Sequence, residues 1–367
     1  MELFLIKRLL NIRGAKMSVL LFAKKIHRSL SNKRKVLSNL RAVRKIVSLP
    51  SYNAEKKLKS ERVMLNENVK WLKKYHELNV FYKLYGMDVE GSCIDEYIDY
   101  QSFMETRNIA NRIGKIDSQV ILLRDKFLFF NYMKSNNLPV PDVFGFISND
   151  ILYDAQMNAV EWSALSEEKE YFIKDIDGEC ASFVKKIKDY DAFLQIRDEI
   201  KKGRYILQRK IEQSSKMNLL NSGSINTLRI VTINKNGNPY VLTSLLRVGT
   251  KKTGNVDNWA AGGIAVGVQK DGFLKEFGYF KPHYGTKTNI HPDSKIVLSQ
   301  FKVPMFDSAL KMACRAHKFF YNIRAIGWDI AISENGPVFI EGNDNWEISL
   351  MQACDRPLKK EWMIAVE

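Results

Sequence analysis

A β-hairpin is predicted by the stretch Gly327-Trp328-Asp329-Ile330-Ala331-Ile332-Ser333, followed by Glu334-Asn335-Gly336 and then by Pro337-Val338-Phe339-Ile340-Glu341-Gly342-Asn343. Two apolar strands flank a three-residue loop whose last member is glycine, which is the pattern of a bulged hairpin turn. Counting outward from Asn335 predicts that Ser333 faces Pro337 and that Asp329 faces Glu341. Asn343 follows Glu341 by two positions, so it points to the same face of the strand.

Two opposed carboxylates on one face of this hairpin need a partner. Directly opposed residues have Cβ atoms roughly 4.5–5.5 Å apart, and like charges at that separation destabilise a sheet. Mg²⁺ would neutralise them, because it takes one or two protein carboxylates and completes its octahedron with water and substrate phosphates. We therefore consider Asp329, Glu341 and Asn343 as metal ligands. The alternative is a wet sheet edge at which both acids are solvated.

Upstream segments supply candidate phosphate ligands. Asp125 to Asn136 predicts a helix that carries Lys126, and Leu138-Pro139-Val140-Pro141 forces an extended exit from it. The apolar strand Tyr171–Lys174 ends in a lysine and runs into a turn whose Gly178 and Ser182 can present backbone N–H groups to phosphate. A lone lysine is usually a surface charge. Together with the acidic hairpin, Lys126 and Lys174 indicate a site for phosphate and Mg²⁺.

Further strands are predicted around these segments. Val143–Ile147 and Tyr205–Ile211 are short apolar runs, and two longer runs, 226–234 and 239–248, flank Asn236-Gly237. Asn-Gly between two such runs is a strong hairpin signal. Cys314 and His317 share one face of a helix predicted after Asp307, which favours core packing over catalysis.

Composition excludes several classes of protein. The chain has 367 residues, of which 45% are hydrophobic and 27% charged, so it can bury a large core and is not dominantly disordered. The longest apolar run near the N-terminus is far shorter than a membrane span and is followed by lysines, which argues against a secretory signal. The four cysteines are scattered, which indicates neither a zinc site nor a disulfide framework. We expect a cytoplasmic protein.

Positive charge is concentrated at the N-terminus. The net charge is +16, and residues 1–48 contain thirteen lysines and arginines against Glu2 alone, which leaves +4 for the remaining residues. Apolar residues recur among these charges in a loosely helical pattern, so one interpretation is a basic amphipathic helix on the inner face of an anionic membrane. A solvated helix packed on the protein is the second interpretation. Nucleic acid is disfavoured, because only Phe4 and Phe22 could stack on bases.

The order of these segments resembles the ATP-grasp superfamily, and in particular its sugar-transfer associated group. The resemblance covers roughly residues 116–350, and its most specific stretches are 224–232, 258–267 and 327–343. It implies an α+β fold, the ATP-grasp fold, in which two α+β lobes clamp ATP between antiparallel sheets. The predicted regions are a basic helical region (1–48), a helical segment (49–115), a first lobe with the phosphate loop (116–205) and a second lobe with the magnesium site (206–367).

The resemblance also implies residue roles. Lys126 and Lys174 would contact the nucleotide phosphates, and Asp329, Glu341 and Asn343 would bind Mg²⁺. Arg229 and Asn226 would face the γ-phosphate or an acyl phosphate. The remaining nucleotide contacts would come from the segment over which adenine lies, namely Gln208, Arg209, Lys210 and Ile211, with Glu212 as a ribose partner.

The sequence departs from the family pattern at three places. The loop 177–182 has fewer glycines than usual, Gln208 stands where many relatives have an acid, and Gly327 stands where many have an arginine. The last departure leaves the cation that stabilises the transition state open among Arg229, Arg247 and Arg324.

The activity that these features imply is ligation of a carboxylate to an amine, with ATP and Mg²⁺ as cofactors. The γ-phosphate would pass to the carboxylate, and a bound amine would attack the acyl phosphate. The substrate is expected to be a sugar or glycan precursor. Two alternatives stay open: a phosphotransferase that uses the same site, and a non-catalytic membrane- or nucleic-acid-binding partner of a glycan assembly complex.

Overall fold

A computed structural model describes residues 39–116, 118–167, 170–178, 183–254, 257, 259–282 and 284–367. The chain divides into two compact units, Met1–Ile94 and Asp95–Glu367. Most of the basic segment 1–48, together with Ser182 and Asn258, lies outside the described residues, so predictions about their structure concern residues that the model does not describe.

The first unit is helical in its described part. Residues 39–48 are helical and bury Val43, Ile46 and Val47. Helix α1 (Glu61–Tyr75) begins after Ser60, whose side chain accepts a hydrogen bond from the Val63 N–H, and ends at His76 in the left-handed conformation. This helix lies within the predicted helical segment 49–115.

The second unit contains helices and two antiparallel sheets, so the predicted α+β class is confirmed. Its helices are α2 (Tyr100–Ala110), α3 (Ile121–Arg124), α4 (Lys126–Ser135), α5 (Tyr190–Ile200), α6 (Ser215–Asn218), α7 (Phe306–His317), α8 (Ile348–Cys354) and α9 (Lys359–Val366). The carboxylate of Asp125 caps α4 by accepting the N–H groups of Phe127 and Leu128, which directs the first helical residue, Lys126, toward the neighbouring strands.

The first lobe is built on an antiparallel sheet. Its described strands are β1 (Val143–Ser148), β2 (Ile151–Asp154), β3 (Ala159–Val160), β4 (Tyr171–Asp175), β5 (Val184–Ile187) and β6 (Arg204–Arg209). Their order across the sheet is β3-β2-β1-β6-β4-β5. Ile147, Tyr171, Ile173 and Leu207 are fully buried in a core shared with Phe193 of α5, so one face of this sheet is covered by a helix.

The second lobe is built on a larger antiparallel sheet. Its described strands are β7 (Thr227–Lys235), β8 (Asn238–Val248), β9 (Ile264–Val268), β10 (Leu274–Phe280), β11 (Lys287–Thr288), β12 (Ala325–Ser333) and β13 (Gly336–Asn343), in the order β11-β10-β9-β8-β7-β12-β13. The predicted Asn236-Gly237 hairpin is confirmed, with both turn residues at positive φ. Helix α7 packs on β7 and β8.

The hairpin that pairs Asp329 with Glu341 differs in detail from the prediction. The turn has two residues, so Ser333 lies opposite Gly336 and Ile332 lies opposite Pro337. A register shift between Asp329 and Ile330 restores the expected pair, and Asp329 lies directly opposite Glu341. The prediction of that pair is confirmed, whereas the predicted pairing of Ser333 with Pro337 is wrong, because the turn has two residues instead of three. The bulge that offsets this difference cannot be counted from sequence.

A short segment connects the two sheets. Strand β6 ends at Arg209, and Gln213 then forms an isolated bridge with Ser333 while the Ser214 N–H donates to the Ile332 carbonyl at 2.8 Å. Near the other end of the hairpin, the Phe339 N–H donates to the Pro139 carbonyl at 2.9 Å. These backbone hydrogen bonds attach the hairpin to the segment that precedes β1 and to the segment that follows β6.

In the described part of the chain, no helix is long and apolar enough to cross a membrane.

Candidate functional site

Two carboxylates and an amide lie together on one face of the β12–β13 hairpin. Asp329 and Glu341 are cross-strand partners whose side chains approach closely enough to share a hydrogen bond. Asn343 Nδ2 donates to Glu341 Oε1 at 3.2 Å and to the Gly327 carbonyl at 3.3 Å. The lysines and arginines in this region therefore lie around a pair of acidic side chains.

Two arginines from neighbouring strands pair with Asp329. Arg229 of β7, the direct partner of Asp329 across the ladder, donates from Nε to Oδ1 and from Nη2 to Oδ2, the latter at 2.9 Å. Arg247 of β8 donates from Nη2 to Asp329 Oδ2 at 3.0 Å. Because Asp329 is only 1% exposed, these bonds compensate the cost of burying its charge.

The two carboxylates consequently differ in pKa. Burial alone would raise the pKa of Asp329, but Arg229 and Arg247 hold it well below its usual range. Burial raises the pKa of Glu341, and the Asp329 charge adds to the effect, with only partial compensation from the two arginines. In the described structure no cation forms an ion pair with Glu341. The acidic pair thus keeps one carboxylate available to a cation.

Arg229 reaches Asp329 across Gly327. A Cβ at Gly327 would lie 2.7 Å from the Trp346 Cβ, so glycine is needed here for the close approach of Trp346, and the Arg229 Cδ would lie at an ordinary contact distance of 3.5 Å. Arg324 lies elsewhere, with Nη1 donating to the Asn234 carbonyl at 3.3 Å. Of the three arginines that the sequence left open, the structure brings Arg229 and Arg247 to the acidic pair.

Asp257 is a site residue that the sequence analysis missed. Its Oδ2 accepts the Thr227 N–H at 2.8 Å, and its Oδ1 lies 3.5 Å from Arg247 Nη2. Burial raises the pKa of Asp257, and Arg247 and the Thr227 hydrogen bond oppose that shift. A single acid in a loop has no periodicity to mark it, although Asp257 directly precedes the 258–267 stretch on which the resemblance rests.

Lys126 and Lys174 both approach this region from the first lobe. Lys126 Nζ donates to the Gly178 carbonyl at 2.7 Å, so the lysine and the predicted phosphate turn are in contact. Burial lowers the pKa of Lys174 to about 8, with Glu341 raising it and Lys126 lowering it further. Lys174 of the first sheet and Glu341 of the second thus lie within electrostatic range of each other.

The predicted nucleotide segment begins in the last two residues of β6 and continues beyond the strand. Gln208 is buried within the strand, Arg209 ends it, and the Arg209 N–H donates to the Asp142 carbonyl at 2.8 Å. Lys210 Nζ lies 3.4 Å from both Glu170 and Glu212, and Glu212 is exposed. Ile211 is half-buried between them. These residues form the connection between the sheets.

Asn226 lies apart from the charged cluster. It is fully buried, and its Nδ2 donates to the Asn221 carbonyl at 2.8 Å and to the Met217 carbonyl at 3.0 Å. Its backbone N–H donates to Gln213 Oε1. These contacts fix the α6 loop to the start of β7. Ser182 lies outside the described residues.

The donor set fits Mg²⁺. Glu341 offers a carboxylate without an ion pair, Asn343 uses its Nδ2 in both of its hydrogen bonds so that its oxygen is not consumed by them, and Asp329 adds a second carboxylate at the same position of the hairpin. Oxygen ligands of this kind are those that Mg²⁺ prefers. No cluster of three or more histidine, cysteine or acidic side chains suited to a metal occurs in the described part of the chain.

Comparison with protein families gives one match. Residues 196–362 match the family described as sugar-transfer associated ATP-grasp, which confirms the resemblance inferred from sequence over this region. No protein with a curated function matches the chain's sequence.

Several solved structures resemble the chain at low identity. A D-alanine–D-alanine ligase from Coxiella burnetii has 14% identity and a TM-score of 0.39, and the match covers 67% of this chain and 57% of that one. A 2-oxoglutarate carboxylase biotin carboxylase domain from Hydrogenobacter thermophilus, solved with MgADP and bicarbonate, has 13% identity and a TM-score of 0.37, with 63% and 45% covered. A D-alanine–D-alanine ligase from Bacillus anthracis, solved with ATP, has 9% identity and a TM-score of 0.39, with 67% and 65% covered. This chain therefore spans less than two thirds of the length of each.

Proposed function

We propose that this chain, which carries a sugar-transfer associated ATP-grasp region over residues 196–362, is an ATP-dependent ligase that joins a carboxylate to an amine. The observation that carries the proposal is the Asp329–Glu341 pair on the β12–β13 hairpin, with Arg229 and Arg247 both bonded to its aspartate. Lysines and arginines placed around a divalent-cation site suit a nucleotide triphosphate.

The residues divide the work between them. Lys126, Lys174 and the turn that contains Gly178 and Ser182 bind the phosphates from the first lobe, and the segment from Gln208 to Glu212 contacts the rest of the nucleotide. Glu341, Asn343 and Asp329 would hold Mg²⁺, which when bound neutralises charge on the triphosphate. Arg229 and Arg247 orient the γ-phosphate and the acyl phosphate with a planar array of donors. Asn226 supports this end of the site by fixing the loop that precedes β7.

No protein nucleophile is required by this scheme. A carboxylate substrate attacks the γ-phosphate, ADP leaves, and the amine then displaces phosphate from the acyl phosphate to give an amide. The protein contributes position and charge, which is how phosphoryl transfer is generally catalysed.

Hydroxylamine trapping tests the proposal. The purified protein is incubated with ATP, Mg²⁺, hydroxylamine and a panel of carboxylic acids, and both ADP and hydroxamate are measured. Hydroxamate formed in proportion to ADP supports an acyl phosphate. A stable phosphorylated product without hydroxamate would establish the alternative phosphotransferase, and absence of ADP release with every acid would favour the non-catalytic alternative.

Two finer features belong to the proposal. We assign the substrate to sugar- or glycan-linked precursors because of the family description, and a panel that contains sugar acids and amino sugars tests this. We assign a peripheral location on an anionic membrane because residues 1–48 carry thirteen basic residues against one acidic residue.

A further inference from the structure

Asp257 connects two neighbouring strands beside the candidate phosphate site. One of its oxygens accepts the Thr227 N–H, and the other pairs with the Arg247 guanidinium. Thr227 of β7 and Arg247 of β8 are direct partners in the ladder. One buried carboxylate therefore ties the backbone of one strand to the side chain that lies opposite it on the next.

The two arginines differ in their carboxylate partners. Among the described residues, Arg229 forms an ion pair with Asp329 alone, whereas Arg247 forms ion pairs with Asp329 and with Asp257. A ligand cation that competes for Asp329 would deprive Arg229 of that carboxylate. Arg247 would keep Asp257.

Arg247 also has a donor that its partners do not use. Both of its ion pairs involve Nη2, while Nε is buried and has no hydrogen-bond partner in the described structure. A buried donor without an acceptor costs free energy, so such a group is expected where a ligand completes it. The Arg247 guanidinium is thus bound to its carboxylates through Nη2, and its remaining N–H groups can donate to a bound anion.

We propose that Asp257 is a positioning residue that holds Arg247 for the γ-phosphate while a ligand cation engages Asp329. This inference rests on the proposed function, because it assigns Arg247 to the terminal phosphate of ATP. The two arginines then have different roles. Arg229 loses its carboxylate partner when a cation binds Asp329, whereas Arg247 stays in position because it keeps its ion pair with Asp257.

Nucleotide binding tests the assignment without knowledge of the substrate. Dissociation constants for MgADP and for magnesium adenylyl imidodiphosphate are measured by calorimetry on the full chain and its Asp257→Asn variant. The dissociation constant for MgADP divided by that for magnesium adenylyl imidodiphosphate reports how much the γ-phosphate strengthens binding. We expect Asp257→Asn to reduce this ratio about tenfold, because the neutral amide no longer forms the ion pair that holds Arg247, with little change in MgADP affinity.

Asp355→Asn is the matched control. Asp355 is also largely buried and accepts hydrogen bonds from Thr243 Oγ1 and Lys275 Nζ, but it belongs to a different cluster. We expect Asp355→Asn to leave the ratio unchanged. A double-mutant cycle adds the decisive comparison, because in an Arg247→Lys background the Asp257→Asn change should have no further effect if Asp257 acts through Arg247.

Three results would overturn the inference. They are an unchanged ratio in Asp257→Asn, an equal reduction in the Arg247→Lys background, and an equal reduction in Asp355→Asn. If Asp257→Asn fails to fold by circular dichroism, Asp257→Glu replaces it in the same cycle. Wild-type protein that binds neither nucleotide overturns the proposed function and this inference with it, whereas binding with an unchanged ratio removes the inference alone.

Discussion

Arg229 and Asp329 stand 100 residues apart in the chain and form a two-pronged ion pair between adjacent strands. The pair is shielded from water, and Arg247 adds a third bond to the same carboxylate. Position 327 of β12 is a glycine against which Trp346 packs, and the two arginines that bond Asp329 come from β7 and β8.

The shape of the Arg229 side chain should matter for turnover. Lysine keeps the positive charge but lacks the paired N–H donors of the planar guanidinium. Arg229→Lys should therefore lower the rate of ADP release about 100-fold, which is the usual effect of removing one hydrogen-bond donor to the transition state of an enzyme. Release is measured with the carboxylate that gives hydroxamate. Arg324→Lys is the control, because Arg324 bonds the Asn234 carbonyl, and it should keep near wild-type activity. Equal rates for both variants would contradict the role of Arg229.

Glu341 should stabilise the ligand-bound protein at the expense of the free protein. Its pKa is raised by burial and by Asp329, so its ionisation at neutral pH is unfavourable to the fold. Glu341→Gln should therefore raise the Tm of the nucleotide-free protein by about 2–4 °C, the effect of ~1 kcal/mol in a domain of 150–250 residues.

The same Glu341→Gln variant should bind MgADP more weakly, and calorimetry over a range of magnesium concentrations measures this loss. Asn343 Nδ2 can still donate to the glutamine oxygen, so the local hydrogen bond is retained. A variant that is less stable than wild type without nucleotide, or that needs no additional magnesium, would contradict the assignment.

Lys174 should make nucleotide use depend on pH. Its pKa of about 8 means that the charge is present at pH 7 and is lost as the pH rises through 8. We expect kcat/KM for ATP to fall above pH 8 and the fall to move to higher pH in Lys174→Arg, since arginine stays protonated.

The free energy of unfolding should rise over the pH range in which kcat/KM for ATP falls. Because the folded protein releases the Lys174 proton before the unfolded chain does, this group makes unfolding free energy rise between pH 8 and the ordinary lysine pKa. Lys174→Met should remove that contribution. Urea denaturation at pH 7.5 and 9.5 gives the difference, and identical pH dependence in wild type and Lys174→Met would refute the shift.

His317 should destabilise the second unit in acid. It is fully buried, its Nε2 contacts the Ile323 carbonyl at 2.9 Å and its Nδ1 contacts Thr232 Oγ1 at 2.7 Å, while Trp328 Nε1 donates to the same hydroxyl. Burial lowers the pKa of His317 to about 4. The folded state thus favours neutral imidazole, whose contribution is complete above pH 6.5 and is lost as the pH falls toward 4.

Lowering the pH from 7 to 5 should remove about 2 kcal/mol of unfolding free energy through His317. Urea denaturation followed by tryptophan fluorescence measures this loss. His317→Gln should show a smaller loss than wild type over the same interval, because glutamine does not titrate. An equal loss in both proteins would show that other groups cause the acid sensitivity.

The basic N-terminus should be required for association with anionic membranes. Residues 1–38 contain ten basic residues and one acidic residue, whereas residues 39–48 bury Val43, Ile46 and Val47 and are best retained. Deleting residues 2–38 should abolish sedimentation with phosphatidylglycerol liposomes at low salt. Neutral phosphatidylcholine liposomes are the control. Equal sedimentation of the full and shortened chains would exclude the membrane proposal.

The sequence alone determined the elements that depend on neighbours in the chain. The Asn236-Gly237 hairpin and the Asp125 helix start follow from local turn and cap chemistry. The β12–β13 hairpin was also predicted, although its Asp329–Glu341 pair is produced by a two-residue turn and a bulge. The concentration of charge in residues 1–48 is likewise a property of composition. The chemistry of an acidic pair that needs a cation was therefore accessible without a structure.

Tertiary structure decided which side chains meet that pair. Arg229, Arg247 and Asp257 reach Asp329 or one another only because β7, β12 and β8 are neighbours in one sheet, and Lys174 approaches Glu341 only because a second sheet faces the first. Strand order and the bulge after Asp329 arise from packing among distant segments, which leaves no periodic mark in the chain. For that reason the carboxylates could be inferred from sequence, whereas their arginine partners and the anchoring aspartate could not.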